Sequence, residues 1–347
     1  MATLKELAAR TGYSPATISR ILTGDPDLAV SEETRRRVLE AAGDLNYAAT
    51  KSRRGRAPKR LLRLGIAEML TPAEQLDDPY YLYLRNFLEQ ACLDQKLSPM
   101  PLRRHGALFL PPEDGGVDAV AAIGIFTPAQ IQSLRTVSGN LVFLDSSPDE
   151  AHCDSVVLNY ALGISQALEY LLGLGHTRVG FIGPTMKLDD WKQPAPEERC
   201  RIFRAYMAER GLFDPALLID GPMDARQTAQ ALEAFLASGR PRPTALLAAN
   251  EENALGAVRA LSRAGLCVPG DISLVSFNDT PLSELAEPPL TSVSTHVREM
   301  ARTAVRLLCE RASLGDRPPV RTLPQKVVVP PTLVVRESTA PPRAREG

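Results

Sequence analysis

Ser14-Pro15-Ala16-Thr17-Ile18-Ser19-Arg20 is the stretch on which the reading of this chain turns. Ahead of it, Thr3-Leu4-Lys5-Glu6-Leu7-Ala8-Ala9-Arg10 places Leu4, Leu7 and Ala8 on one face of a short helix, and Gly12 permits a tight turn. Ser14 suits the cap of a second helix and Pro15 its first position, where a missing N–H costs nothing. Two short helices joined by a glycine turn form a helix-turn-helix, whose second helix enters the major groove of DNA. A third helix is expected over residues 31–45, capped by Ser31, with Glu32 and Glu33 in its first turn and Arg35, Arg36 and Arg37 beyond. Val38, Leu39, Ala42 and Leu45 then close a three-helix core with Leu4, Leu7, Ala8, Ile18 and Ile21.

Charge is distributed to match. The formal net charge of −1 hides a head, residues 1–60, with 12 Lys/Arg against 7 Asp/Glu, on a body with 28 against 34. No acid occurs between Asp44 and Glu68, whereas Lys51, Arg53, Arg54, Arg56, Lys59, Arg60 and Arg63 all do. A basic end on an acidic body is what phosphate neutralisation requires.

From residue 61 onward, apolar runs at 62–66, 117–125, 141–144, 179–182, 216–219, 244–249 and 273–277 read as buried parallel strands. Helical patterns lie between them, near 81–93, 128–135, 160–174, 197–210, 226–237, 253–264 and 297–312. This alternation predicts an α/β core of doubly wound sheets, and the length of 347 residues allows two such lobes beside the head. Ligands bind at the carboxyl ends of strands in such sheets, and three runs end in polar residues: Asp145, Asn250 and Asn278-Asp279. Several polar strand ends from different strands fit a ligand cleft better than they fit helix caps alone.

Catalytic and metal patterns are missing: no Gly-x-Ser-x-Gly, His-Glu-x-x-His, Walker loop or Gly-x-Gly-x-x-Gly after the first strand. His105, His152, His176 and His296 show no metal spacing, so neither a metal nor a cofactor is expected, nor an enzyme. The five scattered cysteines (Cys92, Cys153, Cys200, Cys267, Cys309) suggest buried thiols in a reducing, cytoplasmic setting. No apolar run has transmembrane length and no signal peptide is evident, so no membrane partner is expected.

These residues resemble the lactose/galactose-repressor family of bacterial transcription regulators over almost the full length. The likeness is carried by the helix-turn-helix stretch and by Leu172-Gly173-Leu174-Gly175-His176-Thr177-Arg178-Val179-Gly180-Phe181-Ile182-Gly183. Pro243-Thr244-Ala245-Leu246-Leu247-Ala248-Ala249-Asn250, Pro269-Gly270-Asp271-Ile272-Ser273, Pro288-Pro289-Leu290-Thr291-Ser292-Val293 and Leu333-Val334-Val335-Arg336-Glu337-Ser338-Thr339 continue it in order. Asp77-Asp78-Pro79-Tyr80-Tyr81 with Arg85, and Asn278-Asp279, are similar to the galactoside branch that includes the evolved β-galactosidase repressor.

The resemblance implies a three-helix head (1–47), a basic hinge (48–60), an effector-binding and dimerisation core like periplasmic sugar-binding proteins (61–340) and a short tail (341–347). Lobe 1 is expected over about 61–157 plus 294–325, and lobe 2 over 158–293 plus 326–340. It implies base contacts from Pro15, Ala16 and Arg20; an arginine can hold guanine in bidentate fashion, while Pro15 and Ala16 offer apolar contact. Thr3, Ser14, Thr17 and Ser19 have hydroxyls suited to phosphates, and Leu4 and Tyr47 complete the DNA-facing set. The hinge departs from the family, which carries Pro-Asn two residues after Tyr47 and then a Leu-Ala wedge. Here the stretch is Ala48-Ala49-Thr50-Lys51-Ser52-Arg53-Arg54-Gly55-Arg56-Ala57-Pro58, which predicts electrostatic grip by Lys51, Arg53, Arg54 and Arg56 in place of leucine kinking.

For the effector, the family's cleft positions map to Asp145, Arg199, Asn250 and Asn278, with Tyr80, Tyr81 and Arg85 at the mouth. Tyr80, Tyr81 or Trp191 can stack on the apolar side of a sugar ring. The expected function is a homodimeric repressor of double-stranded operator DNA released by a small sugar, a galactoside. The competing readings are the same fold with a purine or phosphosugar corepressor, and a soluble sugar-binding receptor. The tail has no heptad, so no coiled-coil tetramer is expected.

Overall fold

The computed structural model describes residues 3–22, 25, 28–45, 62–71, 74–77, 79–113, 115–312 and 318–343. The chain divides into two units, residues 1–60 and 61–347.

Three helices build the first unit: α1 (Leu4–Thr11), α2 (Pro15–Leu22) and α3 (Glu32–Asp44). Thr3 and Glu6 form a reciprocal capping box at the start of α1, with the Glu6 carboxylate 2.6 Å from the Thr3 N–H. Gly12, at φ 77, ends α1 in the left-handed region, where a side chain is strained. The Ser14 hydroxyl accepts the Thr17 N–H at 3.1 Å, and Ser31 caps α3 in the same way. Leu7, Ile18, Ile21, Val38, Ala41 and Ala42 are buried together. Leu39, expected inside, is 51 % exposed. It lies about 100° around the helix from Val38, and Ala41 fills the inward position instead.

The second unit opens with β1 (Arg63–Glu68), α4 (Glu74–Asp77), α5 (Pro79–Asp94) and β2 (Ser98–Pro101). A hairpin, β3 (Arg103–His105) and β4 (Leu108–Leu110), precedes β5 (Ala119–Ile123), α6 (Pro128–Val137), β6 (Leu141–Leu144) and β7 (Asp154–Leu158). Next come α7 (Tyr160–Gly173), β8 (Val179–Gly183), the hairpin β9 (Met186–Leu188) and β10 (Pro194–Pro196), and α8 (Glu198–Glu209). The chain continues through β11 (Leu218–Asp220), α9 (Ala225–Ala237), β12 (Ala245–Ala248), α10 (Glu251–Arg263), β13 (Ser273–Asn278) and α11 (Pro281–Leu285). It ends with β14 (Thr291–Ser294), α12 (Val297–Arg311), β15 (Lys326–Val329) and β16 (Thr332–Val334).

Two six-stranded sheets result, in the orders β15-β7-β6-β5-β1-β2 and β11-β8-β12-β13-β14-β16. All pairings are parallel in the first; only β14–β16 is antiparallel in the second. Helices cover both faces, which is why the strands are apolar on both. In β5, Ala119, Ala121 and Ile123 pack toward α5 and α12, whereas Val120 and Ala122 pack toward α6. The second sheet lies between α7 with α8 and α9 with α10 in the same manner.

The chain passes between the lobes at 158–160, 294–297 and 329–332. The last passage corrects the expected lobe boundary. Residues 326–329, assigned from sequence to lobe 2, pair with β7 and form the edge of the first sheet. The Gln325 N–H donates to the fully buried Asp154, which also holds Arg321 and Arg311, and so sets that register. Cys92, Cys153 and Cys200 are buried as expected, but Cys267 is exposed and Cys309 half-buried.

Candidate functional site

On the head, Ser14, Pro15, Ala16 and Arg20 are exposed, and Thr17 and Ser19 are half-buried. Ile18 and Ile21 fix the helix to its core, so this face is displayed by packing on the opposite side. The Arg20 Nε donates to Asp25 at 2.7 Å, a charge-assisted bond that holds the planar guanidinium on a defined edge. Three of the expected phosphate-binding hydroxyls have local partners: Thr3 with Glu6, and Ser14 with Thr17 at 2.9 Å. Leu4 packs against the head core. Tyr47, Lys51, Arg53, Arg54 and Arg56, with the rest of the hinge, lie outside the described residues.

In the core, the carboxyl ends of the two sheets supply the second site. Asp145 follows β6 at φ 68; Asn278 ends β13 at φ 104, followed by Asp279 at φ 56. Such left-handed positions cost about 1–3 kcal/mol each and gather at functional sites. Asn250 follows β12 and caps α10, its Oδ1 accepting the Asn253 N–H at 2.9 Å. Gly183, at φ 148, ends β8 where an added Cβ would lie 2.4 Å from the Ala249 Cβ, so only glycine lets these two strand ends approach.

Arg199, in the first turn of α8, organises the centre. Its Nε donates to Glu197 at 2.8 Å, its Nη1 to the Ala249 carbonyl, and its guanidinium lies 5.6 and 5.5 Å from the ring centroids of Tyr160 and Phe277. Burial opposes its charge, but the neighbouring Glu197 and Tyr160 raise its pKa above the ordinary value. Burial likewise pushes Glu197 up, yet Arg199 and the Cys200 N–H win and hold it below the usual carboxylate range. Tyr160 is pushed well up, first by burial and then by Asp145, so its hydroxyl stays a donor. Asp145 accepts from Tyr81 at 2.9 Å and from Tyr160 at 3.3 Å, linking the lobes through one carboxylate.

Tyr80, Tyr81, Asp145, Arg199, Asn250 and Asn278 thus line one interlobe cavity of about 20 Å³. Sequence reasoning missed Tyr160, Lys187 and Met223, which complete its wall. Asn250 Nδ2 is a buried donor with no hydrogen-bond partner among the described residues. Arg85 is not in this wall: Glu68 and Glu89, each at 3.0 Å, hold its guanidinium. Trp191, 40 % exposed, lines an adjoining chamber of about 500 Å³ beside the β9–β10 hairpin. Among the described residues, no group of three or more His, Cys, Asp or Glu could hold a metal ion, and no helix is long and apolar enough to cross a membrane.

Comparison with known proteins places these two sites in context. Residues 3–49 match the model of bacterial regulatory proteins, lacI family, and residues 168–339 that of the periplasmic binding protein-like domain. The chain is 33 % identical to the HTH-type transcriptional repressor MelR of Bacillus subtilis (strain 168), over 97 % of each chain. It is 32 % identical to the HTH-type transcriptional regulator GalR of Streptococcus thermophilus, over 89 % of this chain and 92 % of that one. Solved structures with the same fold include the transcriptional regulator CelR–cellobiose complex (TM-score 0.66, 24 % identity, 97 % of this chain and 100 % of that one). The lac repressor dimer bound to operator and the anti-inducer ONPF gives a TM-score of 0.62 at 24 % identity, over 98 % and 99 %.

Proposed function

The chain belongs to the lacI family of bacterial regulatory proteins, and from that premise we propose that it is a homodimeric repressor whose hold on its operator is loosened by a small neutral sugar, a galactoside. The observation that carries the effector half is the set of polar groups facing one cavity. A carboxylate, an arginine, a lysine and two amides line it, and the buried donor of one amide, Asn250 Nδ2, has no partner among the described residues. Burying such a donor costs about 1–3 kcal/mol until an acceptor arrives, and a sugar hydroxyl supplies one. The galactoside assignment rests on the resemblance of Asp77-Asp78-Pro79-Tyr80-Tyr81 and Asn278-Asp279 to that branch.

For the DNA half, Pro15, Ala16 and Arg20 stand exposed on one helix, and two copies would present them to the half-sites of a palindrome. Asp145 joins residues of both lobes, so a sugar competing for it alters the relation between them. Sugar and operator then weaken each other by the same coupling free energy. The basic run from Lys51 to Arg56 supplies salt-sensitive grip.

The test is to titrate the operator-bound protein with galactose, lactose, a phosphosugar and guanine. Release by a neutral galactoside is expected. Tighter binding on addition of guanine or the phosphosugar overturns the proposal in favour of a corepressor. Alanine at Lys51, Arg53, Arg54 and Arg56 should lower the slope of log affinity against log salt by about one per lost phosphate contact.

A further inference from the structure

We propose that the effector is a two-ring sugar whose second ring lies in the hairpin chamber against the indole of Trp191. The inference rests on the sugar-effector reading above and extends it to the size and charge of the ligand.

The two spaces differ in volume. The central cavity, about 20 Å³, has room for about one water molecule. The chamber beside it, about 500 Å³, falls in the ~300–1,000 Å³ range of ligand pockets. Asp145, Tyr160 and Lys187 belong to the walls of both, so the two spaces adjoin along one side. A ligand that engages Asn250 and Asn278 and fills real volume therefore extends past Asp145 into the chamber.

The chamber is built on a fixed turn. Asp189 Oδ1 accepts the backbone N–H of both Trp191 and Gln193 at 2.9 Å, which fixes the hairpin turn. Asp190 reaches the opposite lobe, accepting the Ser147 N–H at 2.9 Å. Trp191 is thus carried on an ordered turn at the junction of the lobes while staying 40 % exposed. An exposed aromatic side chain in the chamber wall, on a fixed backbone, suits the apolar side of a pyranose ring.

Charge selects the ligand class. Of the charged groups lining this chamber, Glu197 is paired with Arg199, Glu198 with Arg201 and Lys326 with Glu150, which leaves Asp145, Asp189 and Asp190 against Lys187. Hydroxyls find acceptors there, whereas a phosphate or carboxylate on the ligand meets like charge. The class selected is a neutral disaccharide.

Trp191 is the only tryptophan of the chain, so its emission reports the chamber alone. Full-length protein is titrated with lactose, melibiose and cellobiose, and with galactose and glucose, while tryptophan emission and operator release are followed. At least one disaccharide is expected to change the emission and release operator at a roughly ten-fold lower concentration than any monosaccharide. Trp191→Ala should erase that preference and Trp191→Phe restore most of it. Equal potency of the two sugar classes with unchanged emission overturns the inference and leaves the sugar-effector reading standing. The same holds if Trp191→Ala shifts both classes alike. No effect of any sugar on operator binding or emission overturns both.

Discussion

The exposed helix of the head and the cleft of the core hold their polar groups in opposite ways. On the head, Pro15, Ala16 and Arg20 project from a small apolar core to which they contribute little. In the cleft, Arg199 is 4 % exposed and Glu197 1 %, and each satisfies the other. A surface that presents side chains to a large partner can be altered without disturbing its own fold. A cleft that must bury polar groups before and after its ligand arrives makes binding and stability share the same bonds.

The largest effect that tests this contrast is Arg199→Ala. It leaves Glu197 buried without its cation and the Ala249 carbonyl without its donor. About 3–5 kcal/mol of core stability should be lost, read as a lower Tm of the core, together with sugar response. Arg199→Lys should rescue little, because an ammonium does not reproduce the planar fork that reaches both Glu197 and the Ala249 carbonyl. A Tm unchanged in both variants would break the comparison on the core side.

Next in size is Arg20→Ala, expected to cost about 1–3 kcal/mol of operator discrimination with Tm unchanged. Competition between operator and random duplex measures it, and a matching fall in Tm would break the comparison from the other side. A subtler effect concerns pH. His176 is buried, with Nε2 2.9 Å from the Ala340 carbonyl and Nδ1 3.0 Å from the Thr244 hydroxyl. Burial lowers its pKa below 6.5, so the unfolded chain takes up the proton first. Its contribution is complete above about pH 6.5 and is lost as pH falls below that value. Melting the protein between about pH 8 and 5 should show a decline at the acid end that His176→Gln flattens. The smallest effect is Thr3→Ala, which removes the α1 cap for about 1 kcal/mol and should lower head stability alone, as hydrogen exchange of α1 would show.

Much of this architecture could be read from residue order, and the exceptions share a cause. The runs at 119–123 and 141–144 are apolar on consecutive residues because helices cover both faces, so pattern and burial coincide. Asp145, Asn250 and Asn278 stand directly after such runs, which made the cleft legible. Tyr160 was not, because the strand before it begins Asp154-Ser155 and hides behind the ion pairs of Asp154. Lys187 lies in the three-residue strand β9 and Met223 in a loop, both too short to show periodicity. Arg85 has the right residue type, but Glu68 on the adjacent strand and Glu89 one turn along claim it. Lys326-Val327-Val328-Val329 announces a strand and says nothing about which sheet accepts it. That choice belongs to the open edge of β7.

The late return of α12 and β15 to the first lobe also bears on how the protein is made. Strands β1 to β7 leave the ribosome first, yet Met300, Ala301, Ala304, Val305, Leu307 and Leu308, which cover one face of their sheet, follow the whole stretch from α7 to β14. At ~5–20 residues per second of synthesis, that face, with only α5 in place, waits on the order of ten seconds for α12. The second lobe, continuous from α7 to β14 and lacking only β16 and the segment after it, can assemble meanwhile. The lobe translated first is thus closed only after most of the second has left the ribosome, and in that interval α5 alone covers this face of its sheet, leaving apolar surface open to other nascent chains.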